Sequence, residues 1–236
     1  MFSRLRFPSG DALQVTVVYD NVALHPGLKA SWGFSALIKG EDGSLSLFDT
    51  GWDGSLLLHN LKALGFNPSE IGVVAISHSH WDHLGGLSAF LAVNPNVKVY
   101  VPSSFSENLK GAIASKAERV VEVSKPTRIA KGLLSLGEFR VGGLAEQYLL
   151  AEKDGELLLL SGCAHPGLEE PFRRLRELGV GRLIGVVGGL HGFRNLHLLE
   201  GLKIIAPCHC TQYKEEIARL YPEAFKPCGV GLTLKL

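Results

Sequence analysis

The chain has 236 residues, 46% of them hydrophobic, and a formal net charge of +1. That is enough to build a sizeable core and fits one domain spanning residues 1–236. A balance this near neutrality, with no dense Lys/Arg block, argues against nucleic-acid and membrane-surface roles and leaves a small-molecule partner as the expectation, with the oligomeric state open.

Residues 1–10, MFSRLRFPSG, lack the apolar run of a secretory signal, so a cytoplasmic protein is expected. LQVTVVYDN (13–21) is rich in β-branched residues and reads as a strand. SALIKGEDGSLSLFDTG reads as a hairpin that turns at Glu41–Gly43 and ends at Asp49. Asp53 is placed to cap a helix that runs to Leu64 and stops at Gly65. IGVVAIS is a short apolar run of the kind that forms buried strands, and a helix is expected over 84–93, then a strand at NVKVYVP. Residues 103–144 are weakly patterned and predict hairpins or loops over a site. GELLLLSG, RLIGVVGG and LKIIAP then read as strands, with helices over 168–178 and 212–220, and VGLTLKL closes the chain as a strand. Mixed strands with helices in both halves imply α/β layers.

Every histidine-rich stretch follows one of these strands: His78–His83, Cys163–His165, His191 and His209. Loops that leave strand ends carry chemistry in such folds. In an extended segment, residues two apart point the same way, so His78 and His80 can reach one ion, while Asp82 and His83 lie beyond the bend and can face another. Imidazoles and a carboxylate suit zinc, iron or manganese. Gly85 and Gly86 let the backbone turn under such a centre. Cys163, Cys208 and Cys210 stand close to histidines, which favours thiols near a metal over bridges. Cys208 and Cys210 alternate with His209, however, and are therefore expected to point away from the metals into the core.

SHSHWDH resembles the HxHxDH signature of the metallo-β-lactamase superfamily, whose fold is a four-layer αββα sandwich. FDTG (48–51) resembles that family's first motif and PCHCT (207–211) its last, which implies that His209 is a ligand and Asp49 a carboxylate steadying a ligand histidine. Cys163 stands where members usually carry a bridging aspartate, as in the zinc β-lactamases. The resemblance implies two divalent metal ions, zinc ahead of iron or manganese, held by His78, His80, Asp82, His83, Cys163, His165 and His209. A histidine that members usually carry earlier is replaced here by Leu144, so His165 or His191 is expected to take its place.

YDN, GFSALI, FDTG, SHSHWDHLGGL, AEQYLL, SGCAHPG, VVGGLH and PCHCT are together similar to one subgroup, the dihydropterin–ribofuranosylaminobenzene-phosphate synthase-like proteins. Trp32 stands where that subgroup commonly has a histidine. The likeness implies a metal-dependent enzyme, hydrolase-like in its site, acting on a phosphate- or pyrophosphate-bearing small molecule, with condensation of a pterin pyrophosphate and an arylamine as the specific reaction. Asp82, as general base, and His191 are the candidate catalytic groups; Asn21, Gly33 and Gly189 are expected to line the substrate. Lys29, Arg194 and Lys214 are the basic residues nearest the motifs. A thiolester, lactone or phosphodiester hydrolase is the main rival, and a di-iron redox or oxygen-binding protein is the rival from another class.

Overall fold

A computed structural model of the protein describes residues 12–236, so the signal-peptide reading of residues 1–10 falls outside the described residues. In chain order the strands are β1 (Gln14–Tyr19), β2 (Ser35–Lys39), β3 (Leu45–Phe48), β4 (Ile71–Ala75), β5 (Lys98–Pro102), β6 (Arg119–Val123), β7 (Thr127–Ala130), β8 (Leu133–Val141), β9 (Leu144–Lys153), β10 (Glu156–Ser161), β11 (Arg182–Gly189), β12 (Ile204–Cys208) and β13 (Thr233–Lys235). The helices are α1 (Gly54–Ala63), α2 (Trp81–Leu84), α3 (Leu87–Val93), α4 (Glu107–Ala114), α5 (Glu169–Leu178) and α6 (Lys214–Leu220). They build two sheets, ordered β13-β1-β2-β3-β4-β5-β6 and β12-β11-β10-β9-β8-β7.

The strands are apolar on both faces because each face meets another layer. Val15, Ile38, Phe48 and Ala75 of one sheet pack against Leu149, Leu158, Leu160 and Val187 of the other. The opposite face of the first sheet, with Leu37, Leu47, Val74 and Val99, is covered by Leu57, Leu61, Phe90 and Leu91 of α1 and α3. That of the second, with Tyr148, Leu150, Leu159 and Val186, is covered by Phe172 and Leu175 of α5 and Ile217 of α6. The order of layers is α, β, β, α. Among the described residues, no helix is long and apolar enough to cross a membrane.

Asp53 caps α1, its Oδ1 accepting from the Ser55 N–H at 2.8 Å. The helix expected over 84–93 is divided instead. A Cβ on Gly86 would lie 2.2 Å from the Thr50 carbonyl oxygen and one on Gly85 2.5 Å from that of Trp52, so the chain presses against the loop after β3 and bends there. The weakly patterned stretch 103–144 is also more regular than expected. It holds α4 and β6, the edge of one sheet, and then β7 and β8, an antiparallel hairpin at the edge of the other. These edge strands are half exposed, which dilutes their apolar pattern.

β3, β4, β5 and β6 run parallel, as do β10, β11 and β12. The loops that carry His78–His83, His165, His191 and His209 all leave carboxyl ends of these strands, where α/β sheets present ligand sites. Five non-glycine residues among those described adopt a left-handed backbone: Asp49, Asp154, Ala164, His191 and His209. Three of them, Ala164, His191 and His209, stand in these loops, and Asp49 stands in the loop that leaves β3. Each conformation costs roughly 1–3 kcal/mol, and such strain persists where the surroundings over-determine it.

Candidate metal centre

Asp49, fully buried after β3, organises the first loop. Its Oδ1 accepts the Ser77 backbone N–H at 2.6 Å, and its Oδ2 accepts the Ser77 hydroxyl and His83 Nδ1–H, both at 2.7 Å. His83 therefore carries its free lone pair on Nε2. Having given its proton to Asp49, the Ser77 hydroxyl accepts from His78 Nδ1 at 2.8 Å, which leaves the His78 lone pair on Nε2 as well. His209 is fixed in the same manner: Asn21 Oδ1 faces its Nδ1 at 3.0 Å, Asn21 Nδ2 donates to its carbonyl, and Asp20 accepts its backbone N–H. In the third loop, Glu146 of β9 takes the backbone N–H groups of Cys163 and Ala164 on Oε1 and that of His165 on Oε2, at 2.8–2.9 Å.

These anchors converge donor atoms. His78, His80 and His165 bring ligand atoms within 4.8 Å of one another, as do Asp82, His83 and His209, while His78, His83 and Cys163 link the two groups. His165 Nε2 is buried and has no hydrogen-bond partner. His209 Nε2 faces Asp82 Oδ2 at 3.0 Å. With the His209 proton on Nδ1, this contact sets a lone pair against a carboxylate, an arrangement that a cation between them relieves. An orphaned buried imidazole nitrogen and opposed acceptors are what a divalent-cation site looks like without its ion. The residues fit the group.

Electrostatics agree. Burial, reinforced by neighbouring imidazoles, holds His78 well below its ordinary value and lowers His165 to about 4. Burial also lowers His80 and His209. These four rings are neutral near pH 7 and free to ligate. His83 moves the other way: burial pulls it down, but the Asp49 carboxylate outweighs that and raises it. Burial pushes Asp82 up, yet the adjoining imidazoles of His83 and His209 hold it well below the usual carboxylate range. A carboxyl so strongly ionised gains little by taking a proton, so its setting suits ligation and charge offset better than general-base work.

A pH dependence follows for the chelator-treated protein. His165 binds its proton near pH 6.5 when unfolded but only near 4 when folded, so acidification across that window protonates the unfolded chain first and stability falls. His83, raised in the fold, acts oppositely and contributes stability that disappears as pH rises. Urea midpoints measured from pH 7.5 to 4 should therefore drop more steeply in wild type than in His165→Ala. Parallel curves would refute the buried neutral state of His165.

The structure brings His78, His80, Asp82, His83, Cys163, His165 and His209 together. His191 is exposed at the rim, its ring 4.9 Å from that of His165, and His165 rather than His191 shares the group with His78 and His80. Leu144 opens β9 opposite Val141 and takes no part. Asn21 and Gly33, expected beside substrate, are engaged within the protein: Gly33 N–H donates to Asn21 Oδ1, and a Cβ on Gly33 would lie 2.5 Å from the Asp82 carbonyl oxygen. Gly189 likewise abuts Gly162 and Cys210. Two readings of the cysteines are corrected. Cys208 is not a thiol near a metal but forms a disulfide with Cys228. Cys210 does not point away, because the left-handed backbone of His209 turns the chain where β12 ends and breaks the alternation. Sequence reasoning also missed Glu146. A glutamate inside the apolar strand AEQYLL was the available signal, since a buried carboxylate needs partners. Trp32, known only as a replacement, donates its indole N–H to Asp82 Oδ2 at 2.9 Å.

Residues 33–192 match the model of the metallo-beta-lactamase superfamily. The chain is similar to the 7,8-dihydropterin-6-methyl-4-(beta-D-ribofuranosyl)-aminobenzene-5'-phosphate synthase of Methanocaldococcus jannaschii, with 26% identity over 89% of this chain and 90% of that one. Among solved structures it is similar to a metal-dependent hydrolase of the beta-lactamase superfamily, with a TM-score of 0.76 and 24% identity over 95% and 99% of the two chains. It is also similar to a metallo-beta-lactamase fold protein of Bacillus subtilis, with a TM-score of 0.72 and 11% identity over 95% and 100%.

Proposed function

The chain belongs to the metallo-beta-lactamase superfamily, and from that premise we propose that it is a metal-dependent enzyme that displaces pyrophosphate from a dihydropterin methylene with an arylamine. The observation that carries the metal-dependent part is the pair of linked donor groups around the orphaned His165 nitrogen. The substrate class rests on likeness to the Methanocaldococcus synthase along nearly the whole of both chains.

His78, His80 and His165 would hold one divalent cation, and Asp82, His83 and His209, with Cys163 between the groups, would hold the other. Bound cations supply the positive charge that offsets a pyrophosphate as it departs. In the displacement, a nitrogen–carbon bond forms between arylamine and methylene, the carbon–oxygen bond breaks, and pyrophosphate leaves with the electron pair. The arylamine must also lose a proton. Exposed His191 is placed at the rim for that task, and the permanent charge of Asp82 keeps the mouth favourable to it. The exposed indole of Trp32 offers a flat apolar surface beside Asp82, of the kind on which a bicyclic heteroaromatic ring stacks.

The test is to incubate metal-loaded protein with 6-hydroxymethyl-dihydropterin pyrophosphate, with and without the ribofuranosylaminobenzene phosphate. Pyrophosphate release that requires the amine is the expected result. Equal release without the amine would mean hydrolysis, and no release, together with cleavage of a thiolester, lactone or phosphodiester, would overturn the reading.

A further inference from the structure

Cys210 lies where neither the strand pattern nor the family likeness directs a ligand. Its Sγ is 3.2 Å from that of Cys163, and Cys163 Sγ is 3.1 Å from His83 Nε2, the nitrogen that Asp49 leaves with its lone pair. Ligand atoms of Cys163, His209 and Cys210 fall within 4.8 Å of one another. Three features build this arrangement. The left-handed turn at His209 swings Cys210 inward. Glu146 fixes the Cys163 loop by its backbone. Gly189 leaves the space, since a Cβ there would stand 2.8 Å from Cys210 Sγ, 3.2 Å from Cys163 Cα and 2.2 Å from the Gly162 carbonyl oxygen. The remaining two cysteines are tied to each other as the Cys208–Cys228 disulfide, so Cys163 and Cys210 are the free thiols of the chain.

We propose that Cys210 is a metal ligand, which with Cys163 makes one cation position a mixed sulfur-and-imidazole site beside a position of imidazoles alone. This deepens, and rests on, the metal-dependent reading given above. Two sulfurs flanked by His83 and His209 form a soft donor set, which selects zinc, cadmium or copper(I); His78, His80 and His165 suit iron and nickel as well as zinc. The two positions therefore differ in the cations they retain. Binding at the sulfur-bearing position displaces thiol protons to solvent, and the cation replaces the proton now shared between Cys163 and His83.

The experiment is a cobalt(II) titration of the chelator-treated protein kept free of air, read by absorption. Wild type should show a near-ultraviolet thiolate-to-cobalt charge-transfer band, and Cys210→Ser and Cys210→Ala should each lower it by about half. The visible ligand-field bands of the imidazole position should persist in both variants. Cadmium should protect two thiols per wild-type chain from alkylation, and circular dichroism verifies the fold of each variant. If cobalt binds but both Cys210 variants keep the full sulfur band, or none has one, Cys210 is a packed thiol and the proposal falls while the metal-dependent reading stands. If wild type binds no cobalt at all, that broader reading falls too.

Discussion

Asp49→Asn should destabilise the metal-free protein by roughly 3–6 kcal/mol, the loss of two hydrogen bonds to a buried charged oxygen at about 1.5–3 kcal/mol each. Asp49 is fully buried and accepts three hydrogen bonds, two of them on Oδ2. An asparagine can reproduce the Oδ1 contact to the Ser77 backbone, but its amide nitrogen then faces the Ser77 hydroxyl and His83 Nδ1, both donors. The hydroxyl can rotate. The imidazole can respond only by moving its proton to Nε2, which puts hydrogen on the atom that should ligate. Metal affinity should therefore drop by about 10–100-fold, as when the outer partner of a ligand histidine is lost. Urea denaturation with chelator present gives the first quantity, and metal titration gives the second. Wild-type affinity in the variant would show that Asp49 does not set the His83 tautomer.

Glu146→Ala should be the other severe change. Three backbone N–H groups, those of Cys163, Ala164 and His165, lose their acceptor inside the protein. Each buried donor left unsatisfied costs roughly 1–3 kcal/mol. The loop is also released from the left-handed conformation at Ala164 that aims His165 at His78 and His80. Glu146→Gln separates the contributions. Its carbonyl oxygen can keep the contacts to Cys163 and Ala164, while its amide nitrogen confronts His165 N–H. The glutamine variant should lose about one donor's worth of stability, roughly 1–3 kcal/mol, and bind metal weakly at the imidazole position. Equal stability losses in the two variants would show that Glu146 serves as bulk rather than as an acceptor.

The layers were legible because parallel, doubly covered strands read as continuous apolar runs, as in GELLLLSG and RLIGVVGG. The ligand loops were legible because His78, His80, Asp82 and His83 are crowded into six positions directly after such a run. What escaped detection depends on contacts distant in sequence or on a single backbone angle. Glu146 meets its loop across a hairpin, and Cys208 meets Cys228 without any local pattern. The inward direction of Cys210 is decided by the left-handed angle at His209, which strand alternation does not encode. That Asn21 also holds His209 was not legible, because its partner lies at the far end of the chain.

The three tryptophans of the chain, Trp32, Trp52 and Trp81, are all more than half exposed; Trp32 and Trp52 stand in loops and Trp81 opens α2, three segments in contact with one another. Trp32 bonds Asp82 and packs edge-on to His209 at 4.7 Å. No indole is enclosed in any of the apolar layers. Intrinsic fluorescence of this protein is thus already that of water-exposed indoles in the native state, and unfolding has little further red shift to produce. Emission is a poor gauge of folding here but an unlabelled reporter of occupancy, because a cation held by Asp82 and His209 draws away the carboxylate that the Trp32 N–H addresses.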